Sequence, residues 1–149
     1  MKKILVTRKL LKECEDKAQK TFDAKLNSND ELYSQKKLID LSEGCDDVLS
    51  SLTDKLDDDT INKLPKSVKI LSNFAVGFGN IDIEAAKKIN IAVTNTPEVL
   101  TDATAEIGIL LILGACRRAS EGIEAAKASN WKWSADYLIG KQLTGTRLG

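Results

Sequence analysis

The stretch VKILSNFAVGFGNIDIEAAKKINIAVTN, Val68 to Asn95, decides the fold. It opens with Val68-Lys69-Ile70-Leu71-Ser72-Asn73, a short apolar run with the residue types that suit a strand. Two glycines two apart, Gly77 and Gly79, then punctuate the chain. Ile81 to Ile89 reads as a helix, and Ile91-Ala92-Val93-Thr94-Asn95 as the next strand. The same alternation runs back to the N-terminus. Lys3 to Thr7 reads as a first strand. Lys9 to Lys20 reads as a helix, with Leu10, Leu11, Cys14 and Ala18 at helical spacing. Thr21 to Asn27 suits a second strand, and Asn27-Ser28-Asn29-Asp30 has turn and N-cap chemistry. Leu32, Leu38, Ile39 and Leu41 mark a helix ending at Gly44. Asp47 to Leu52 is a third strand. Asp57-Asp58-Asp59 opens a helix over Thr60 to Leu64 that stops at Pro65. Strands alternating with helices at this spacing predict an α/β fold with a parallel, doubly wound sheet.

Beyond Pro97 the pattern changes. Asp102 starts a long helix running to about Arg118, apolar nearly all round, and such a helix is expected to be buried on most sides. Arg117 and Arg118 close it, where cations suit the helix dipole. Glu106 within it reads as a partnered polar group. A further helix, Glu121 to Ala128, is expected to end at Ser129-Asn130, and Trp131-Lys132-Trp133 follows. Leu143 to Gly149 reads as a turn leading into a strand.

Composition removes several function classes. The 149 residues are 42% hydrophobic and 30% charged, as in a soluble globular protein with a real core. Twenty-two Lys and Arg balance 22 Asp and Glu, leaving no basic field for nucleic acid or anionic lipid, so neither a nucleic-acid nor a membrane partner is expected. The longest apolar stretch, Ile107 to Cys116, is broken by Gly108 and Gly114 and is shorter than the roughly 20 residues of a membrane span. The apolar run after Met1 is too short for a signal peptide, and a cytoplasmic location is expected. Cys14, Cys45 and Cys116 form no CxxC pair and read as reduced bystanders, Cys116 as a small buried residue of the long helix and the other two among charges. The Asp57–Asp59 run reads as a helix-dipole feature rather than a metal site. No histidine exists. That excludes a Ser-His-Asp triad, a Cys-His pair and a zinc site. Any chemistry must use carboxylates, lysine or backbone groups, or borrow residues from elsewhere.

One segment stands out: Asn73-Phe74-Ala75-Val76-Gly77-Phe78-Gly79-Asn80-Ile81-Asp82. Glycine lets a backbone N–H approach a ligand and adopt positive φ. In open α/β sheets, ligands sit beyond the C-terminal strand ends, and backbone N–H groups there suit a carboxylate or phosphate. The competing reading is a plain turn in which Gly79-Asn80 bends the chain. The segment is no nucleotide fingerprint, because Asp82 stands where a third glycine belongs.

Three stretches in order resemble the D-isomer-specific 2-hydroxyacid dehydrogenase family, nearest its glyoxylate/hydroxypyruvate reductase branch. They are Ala75 to Asp82, Ile91 to Glu106, and Arg117-Arg118 followed by Trp131-Lys132-Trp133 and Leu143-Thr144-Gly145. The resemblance covers the whole chain, weakly before residue 45. It implies a flavodoxin-like substrate domain over residues 1–100, an interdomain helix over 101–119 and a dimerisation arm over 120–142. Residues 143–149 would begin an NAD(P)-binding Rossmann domain, before which the chain is truncated. It further implies that the amides at Val76 and Gly77 hold the substrate carboxylate. The loop near Leu52 would close over the substrate's carbon end, and Thr104 would lie near the cofactor, NAD or NADP. Trp131 and Trp133 would fall in an arm packing on a second subunit of a homodimer. The family's catalytic arginine, glutamate and histidine come from the second domain, so no catalytic residue and no metal ligand is assigned here. Arg117 and Arg118 belong to the helix end. The expectation is an oxidoreductase fragment, inactive alone, whose parent transfers a hydride between NAD(P)H and a small 2-oxo acid such as glyoxylate or hydroxypyruvate. The alternative is a non-catalytic carboxylate-binding module or a signalling module. A signalling domain would need an acidic pocket at the end of the first strand, where Thr7-Arg8-Lys9 is basic.

Overall fold

The computed structural model describes residues 1–128 and 131–149. The chain forms two compact units, Met1–Val99 and Leu100–Gly149.

The first unit contains β1 (Lys3–Val6), α1 (Lys12–Thr21), β2 (Asp23–Lys25), α2 (Gln35–Leu41), β3 (Asp47–Ser51), α3 (Asp58–Asn62), β4 (Ile70–Phe74), α4 (Ile83–Lys88) and β5 (Ala92–Thr94). The sheet order is β2-β1-β3-β4-β5, and every neighbouring pair is parallel. This is the flavodoxin-like order. The register sets Val6 beside Leu49, Ser51 beside Phe74 and Ser72 beside Thr94. The C-terminal ends of four strands therefore share one edge, which is where a parallel sheet places a ligand.

The core occupies one face of this sheet. Leu5, Val48 and Leu71 point to it, and Leu38, Leu56, Ile61, Ala85 and Ala86 close over them. Side chains alternate across a strand, so Asp47, Leu49, Ile70, Ser72 and Phe74 face the other way. That second face is thinly covered. No residue of α1 is buried, Phe74 is exposed, and an open groove of about 980 Å³ runs past Leu11, Cys14, Ala18, Phe22, Leu49 and Phe74.

Helix starts follow side-chain chemistry. Ser34 Oγ accepts from Lys37 N, Asp57 from Thr60 N and Asp82 from Ala85 N, each satisfying an amide that the helix leaves free. The cap of α2 is thus Ser34, not the Asn27–Asp30 turn, and Leu32 lies outside the helix in an exposed loop. Asn27 is instead a buried fastener: its Nδ2 donates to Thr7 O at 2.7 Å and Glu31 O at 2.8 Å. Cys45 is the fully buried cysteine and Cys116 is only half-buried, the reverse of the sequence expectation. Cys45 follows the Gly44 turn (φ 72°) and packs in the core.

The second unit contains α5 (Thr101–Cys116) and α6 (Ala119–Lys127). The predicted end of the latter, Ser129-Asn130, lies outside the described residues. Burial of the long helix does not occur: no residue of α5 is buried, and Ile109, Leu110 and Leu111 are at least 60% exposed. Within this unit only α6 and the segment after it are available to cover a helix that is apolar on every side. Glu106 is likewise exposed and unpartnered among the described residues, so it is not the paired polar group expected. Arg118 takes a left-handed conformation (φ 54°) to turn α5 into α6 and pairs with Glu121. Gly140 lies against the end of α5, where Lys141 N donates to Cys116 O at 2.7 Å. A Cβ on Gly140 would collide with that carbonyl. Trp131 stacks on Tyr137 at 6.2 Å and Trp133 is exposed. Residues 146–149 form no strand. A strand needs a partner ladder, and no described segment supplies one.

Candidate carboxylate site at the C-terminal strand ends

The core face of the sheet turns polar at its C-terminal end. Thr7, Ser50 and Asn73 continue the inward positions of β1, β3 and β4, and all three are buried. Apolar residues below them build the core, and these polar groups above it carry the loops. Asp54 joins them, only 3% exposed. Its Oδ2 accepts from Thr7 Oγ1 at 2.5 Å and from Ser51 N at 2.8 Å. A buried carboxylate is tolerated when donors of this kind surround it.

Two loops leave this layer side by side. The first, Leu52 to Lys55, follows β3. Leu52 is 64% exposed at its tip. The loop is strapped to the end of β1 by Arg8, whose Nη1 donates to Thr53 Oγ1 at 2.9 Å. The same guanidinium grips Asp30 with two parallel bonds at 2.8 and 2.9 Å, the fork geometry that suits arginine and carboxylate. This contact, with the Lys9 amide, holds the Asp30 carboxyl well below the usual carboxylate range.

The second loop, Ala75 to Asn80, follows β4. Its carbonyls turn inward. Ala75 O accepts from Thr96 N at 2.9 Å, and Val76 O from Asn95 Nδ2 at 2.7 Å. Gly77 O accepts from Asn73 Nδ2 at 2.9 Å, and Phe78 O from Ile81 N at 3.0 Å. The amides of Val76, Gly77, Phe78 and Gly79 donate to no acceptor among the described residues, and all four residues are exposed. A loop whose acceptors are spent and whose donors are free presents a positive face. Gly77 and Gly79 do not take positive φ, contrary to the conformational use expected of them, and a Cβ on either would meet nothing within 4 Å. The chain's own packing therefore does not require glycine there.

The structure brings Val76, Gly77 and Leu52 to adjacent strand ends of one unit. Thr104 belongs to the other unit, in the first turn of α5. It is exposed, and its hydroxyl makes no hydrogen bond among the described residues. The polar residues beneath the loops are Thr7, Asp54 and Asn73, all buried, and the half-buried Asn80, with Arg8 and Asn95 at the rim; the sequence reading gave none of them a role in the site. In the sequence Thr7, Asn73 and Asn95 read as strand residues, and Arg8, Asp54 and Asn80 as ordinary turn or loop residues. Only the fold shows that they converge. Asp54 is one carboxylate already engaged by Thr7 and Ser51, so the acidic pocket of a signalling domain is not assembled.

The start of α4, which follows the two glycines, does not suit a pyrophosphate. A pyrophosphate needs free amides at a helix start after a glycine-rich turn. At α4 that start is filled by Asp82, whose carboxylate accepts from Ala85 N at 2.9 Å and would repel a phosphate. Among the described residues no group of three His, Cys, Asp or Glu could hold a metal ion, and no helix is long and apolar enough to cross a membrane.

Comparison with known proteins follows this geometry. Residues 4–137 match the family model described as D-isomer specific 2-hydroxyacid dehydrogenase, catalytic domain. A glycerate dehydrogenase of Hyphomicrobium methylovorum is 34% identical over 149 residues, covering 99% of this chain and 46% of that protein. A glyoxylate reductase of Korarchaeum cryptofilum is 34% identical, covering 99% of this chain and 45% of that protein. A solved chain from Polaromonas sp. JS6 66 superposes with a TM-score of 0.85 at 32% identity, covering 99% of this chain and 47% of that one. The chain spans about half the length of the curated relatives it matches.

Proposed function

The chain belongs to the D-isomer specific 2-hydroxyacid dehydrogenase family, and from that premise we propose that its first unit is the 2-oxo acid site of an NAD(P)-dependent oxidoreductase acting on a small substrate such as glyoxylate or hydroxypyruvate. One observation carries the reading. The Ala75–Asn80 loop has its carbonyls bonded inward and four consecutive amides free at the C-terminal edge of a parallel sheet. A carboxylate accepts from two such N–H groups at once, and charge-assisted bonds of this kind are the stronger class. Val76 and Gly77 hold the carboxylate in this reading. Leu52, exposed on the neighbouring loop, covers the carbon end with an apolar side chain and excludes water there.

The nicotinamide cofactor supplies the hydride when bound. These 149 residues bind and orient the oxo acid, and Thr104 is the one position assigned to cofactor contact. The proton for the new alkoxide is assigned to a group outside these residues, because the chain has no histidine. The chain alone therefore binds a 2-oxo acid without turning it over. The second unit, with its apolar α5 and its Trp131–Tyr137 segment, serves as interdomain helix and dimerisation arm in the complete enzyme, a homodimer.

The test is a titration of the isotopically labelled chain with glyoxylate. The amide resonances of Val76 and Gly77 should move with saturation, and Gly77→Val should abolish the movement. Saturating shifts confined to other segments would overturn the assignment. Calorimetry with NADH and NADPH should show no saturable heat at millimolar cofactor, and micromolar binding by this chain would contradict the reading of Asp82.

A further inference from the structure

The two loops assigned to the substrate are joined by one side chain. Asn80 Nδ2 donates to Ser51 O at 3.0 Å and to Asp54 O at 3.2 Å. Both carbonyls belong to the segment that carries Leu52. Asn80 Oδ1 accepts from Asn73 Nδ2 at 3.1 Å, and that same Nδ2 donates to Gly77 O at 2.9 Å. Asn73 Oδ1 in turn accepts from Ser50 Oγ at 3.1 Å. The Asn80 main chain completes the tie, its carbonyl accepting from Leu56 N at 2.9 Å. Asn80, the last residue of the Ala75–Asn80 loop, thus bonds the Leu52 loop directly and is braced against the Gly77 carbonyl through Asn73. We propose that Asn80 is a positioning residue that fixes the separation of the Leu52 loop from the Val76–Gly77 amides, and so sets the length of oxo acid that fits between them. This rests on the reading of Val76 and Gly77 as the carboxylate holders.

The chemistry requires an amide at this point. Two acceptors on one side and a donor on the other can be served together only by a group with both an N–H₂ and a C=O. Aspartate would set a carboxylate against two carbonyl oxygens. A serine hydroxyl is too short to span them and has one proton to give. The neighbouring strap, Arg8 on Thr53, fixes the far side of the same loop but makes no hydrogen bond to the Ala75–Asn80 loop among the described residues, so it does not set the separation.

The experiment uses the full 149-residue chain and glyoxylate as probe, with hydroxypyruvate as the longer acid. In the wild type, the Val76 and Gly77 amides, the Asn80 side-chain NH₂ and the amides of Ser51 to Asp54 should titrate with one dissociation constant. Asn80→Ser is neutral, so it introduces no repulsion of the anion. It should weaken glyoxylate about tenfold, the scale of one lost hydrogen bond, and silence the Ser51–Asp54 response. The preference between the two acids should shift as well, which a merely structural role would not produce. A variant with a lowered melting temperature but unchanged affinity and preference would overturn the proposal. If Asn80→Ser does not fold, the wild-type titration still decides: a moving Val76 and Gly77 with a silent Asn80 NH₂ and a silent Ser51–Asp54 segment would equally overturn it. A wild type in which Val76 and Gly77 do not respond would sink the carboxylate site itself, and this proposal with it.

Discussion

At the scale of single residues, Gly77 separates structural from functional use of glycine. A turn glycine is held by positive φ or by crowding, and Gly77 has neither. Gly77→Ala should therefore leave the melting temperature unchanged or slightly raised, because alanine restricts the unfolded chain more. Carboxylate affinity should nevertheless fall as the side chain intrudes on the approach. Losing one charge-assisted bond costs about 1.5–3 kcal/mol, or about 10- to 150-fold in affinity. Melting and titration on one preparation check this; unchanged affinity in a stable variant would make Gly77 incidental. A second residue-scale outcome concerns acid. Asp57 is held below the usual carboxylate range chiefly by hydrogen bonds from Thr60, and Asp30 by Arg8. A folded value below the unfolded one contributes stability above the unfolded pKa of about 4, and that contribution is lost as pH falls toward the folded value. Asp47 has the opposite sign. Burial pushes its carboxyl up, Ser72 Oγ donates to Oδ2, and Oδ1 has no partner among the described residues. Its contribution is present at low pH and is lost as pH rises through the raised value. Melting temperature followed from about pH 5 down to about pH 2 should decline in the wild type and decline less in Asp57→Asn. Asp47→Asn should raise it at neutral pH. A wild type whose melting temperature does not change over that interval would remove Asp57 and Asp30 from the account of acid stability.

At the scale of elements, α5 is the exception. Its apolar residues lie on all sides and none is buried, whereas contiguous exposed apolar surface on a soluble protein normally marks an interface. The chain should self-associate through it, detectable by sedimentation velocity at high micromolar concentration. Leu110→Gln with Leu113→Gln should shift the distribution toward monomer without changing the melting of the first unit. A wild type that stays monomeric would show that α5 is not a self-association surface. The elements also show what sequence could and could not reveal. Strands such as Lys3–Val6 and Asp47–Ser51, and the helix start at Asp57, depend on local propensity and capping, and they lie where the residues predict; α4 begins two residues later than read, with Asp82 as its cap. The loop proposed to hold the carboxylate was visible as Gly77-x-Gly79 after a strand. The layer beneath it was not. Asp54 and Asn80 become a unit only through the pairing of β3 with β4, and a pairing is a non-local fact that no local pattern records. The expected burial of α5 failed for a related reason. An apolar helix states that it needs cover, and the covering surface is not encoded in the helix.

At the scale of the whole molecule, the two units should differ in independence. The first has a five-stranded sheet and a core of residues such as Leu5, Val48, Ile61 and Leu71 drawn from strands and helices along the full unit. The second has helices of 16 and nine residues with no buried side chain in either. Isolated helices shorter than about 12–15 residues are marginal in water, and longer ones in proteins draw most of their stability from a packed face. A chain ending at Val99 should then melt cooperatively, near the temperature of the parent's main transition, and should bind glyoxylate with the parent's affinity. A peptide of residues 100–149 should show weak helical circular dichroism in dilute solution, rising with concentration as α5 finds cover. Gly140→Ala within that peptide should lower the helical signal further, because the contact at Cys116 O cannot form beside a Cβ. Loss of cooperative melting in the chain ending at Val99 would refute the division, since the first unit would then owe its fold to the second. Retained melting with lost glyoxylate binding would refute only the placement of the carboxylate site within the first unit. The two readouts on one truncated chain thus separate the claim about folding from the claim about function.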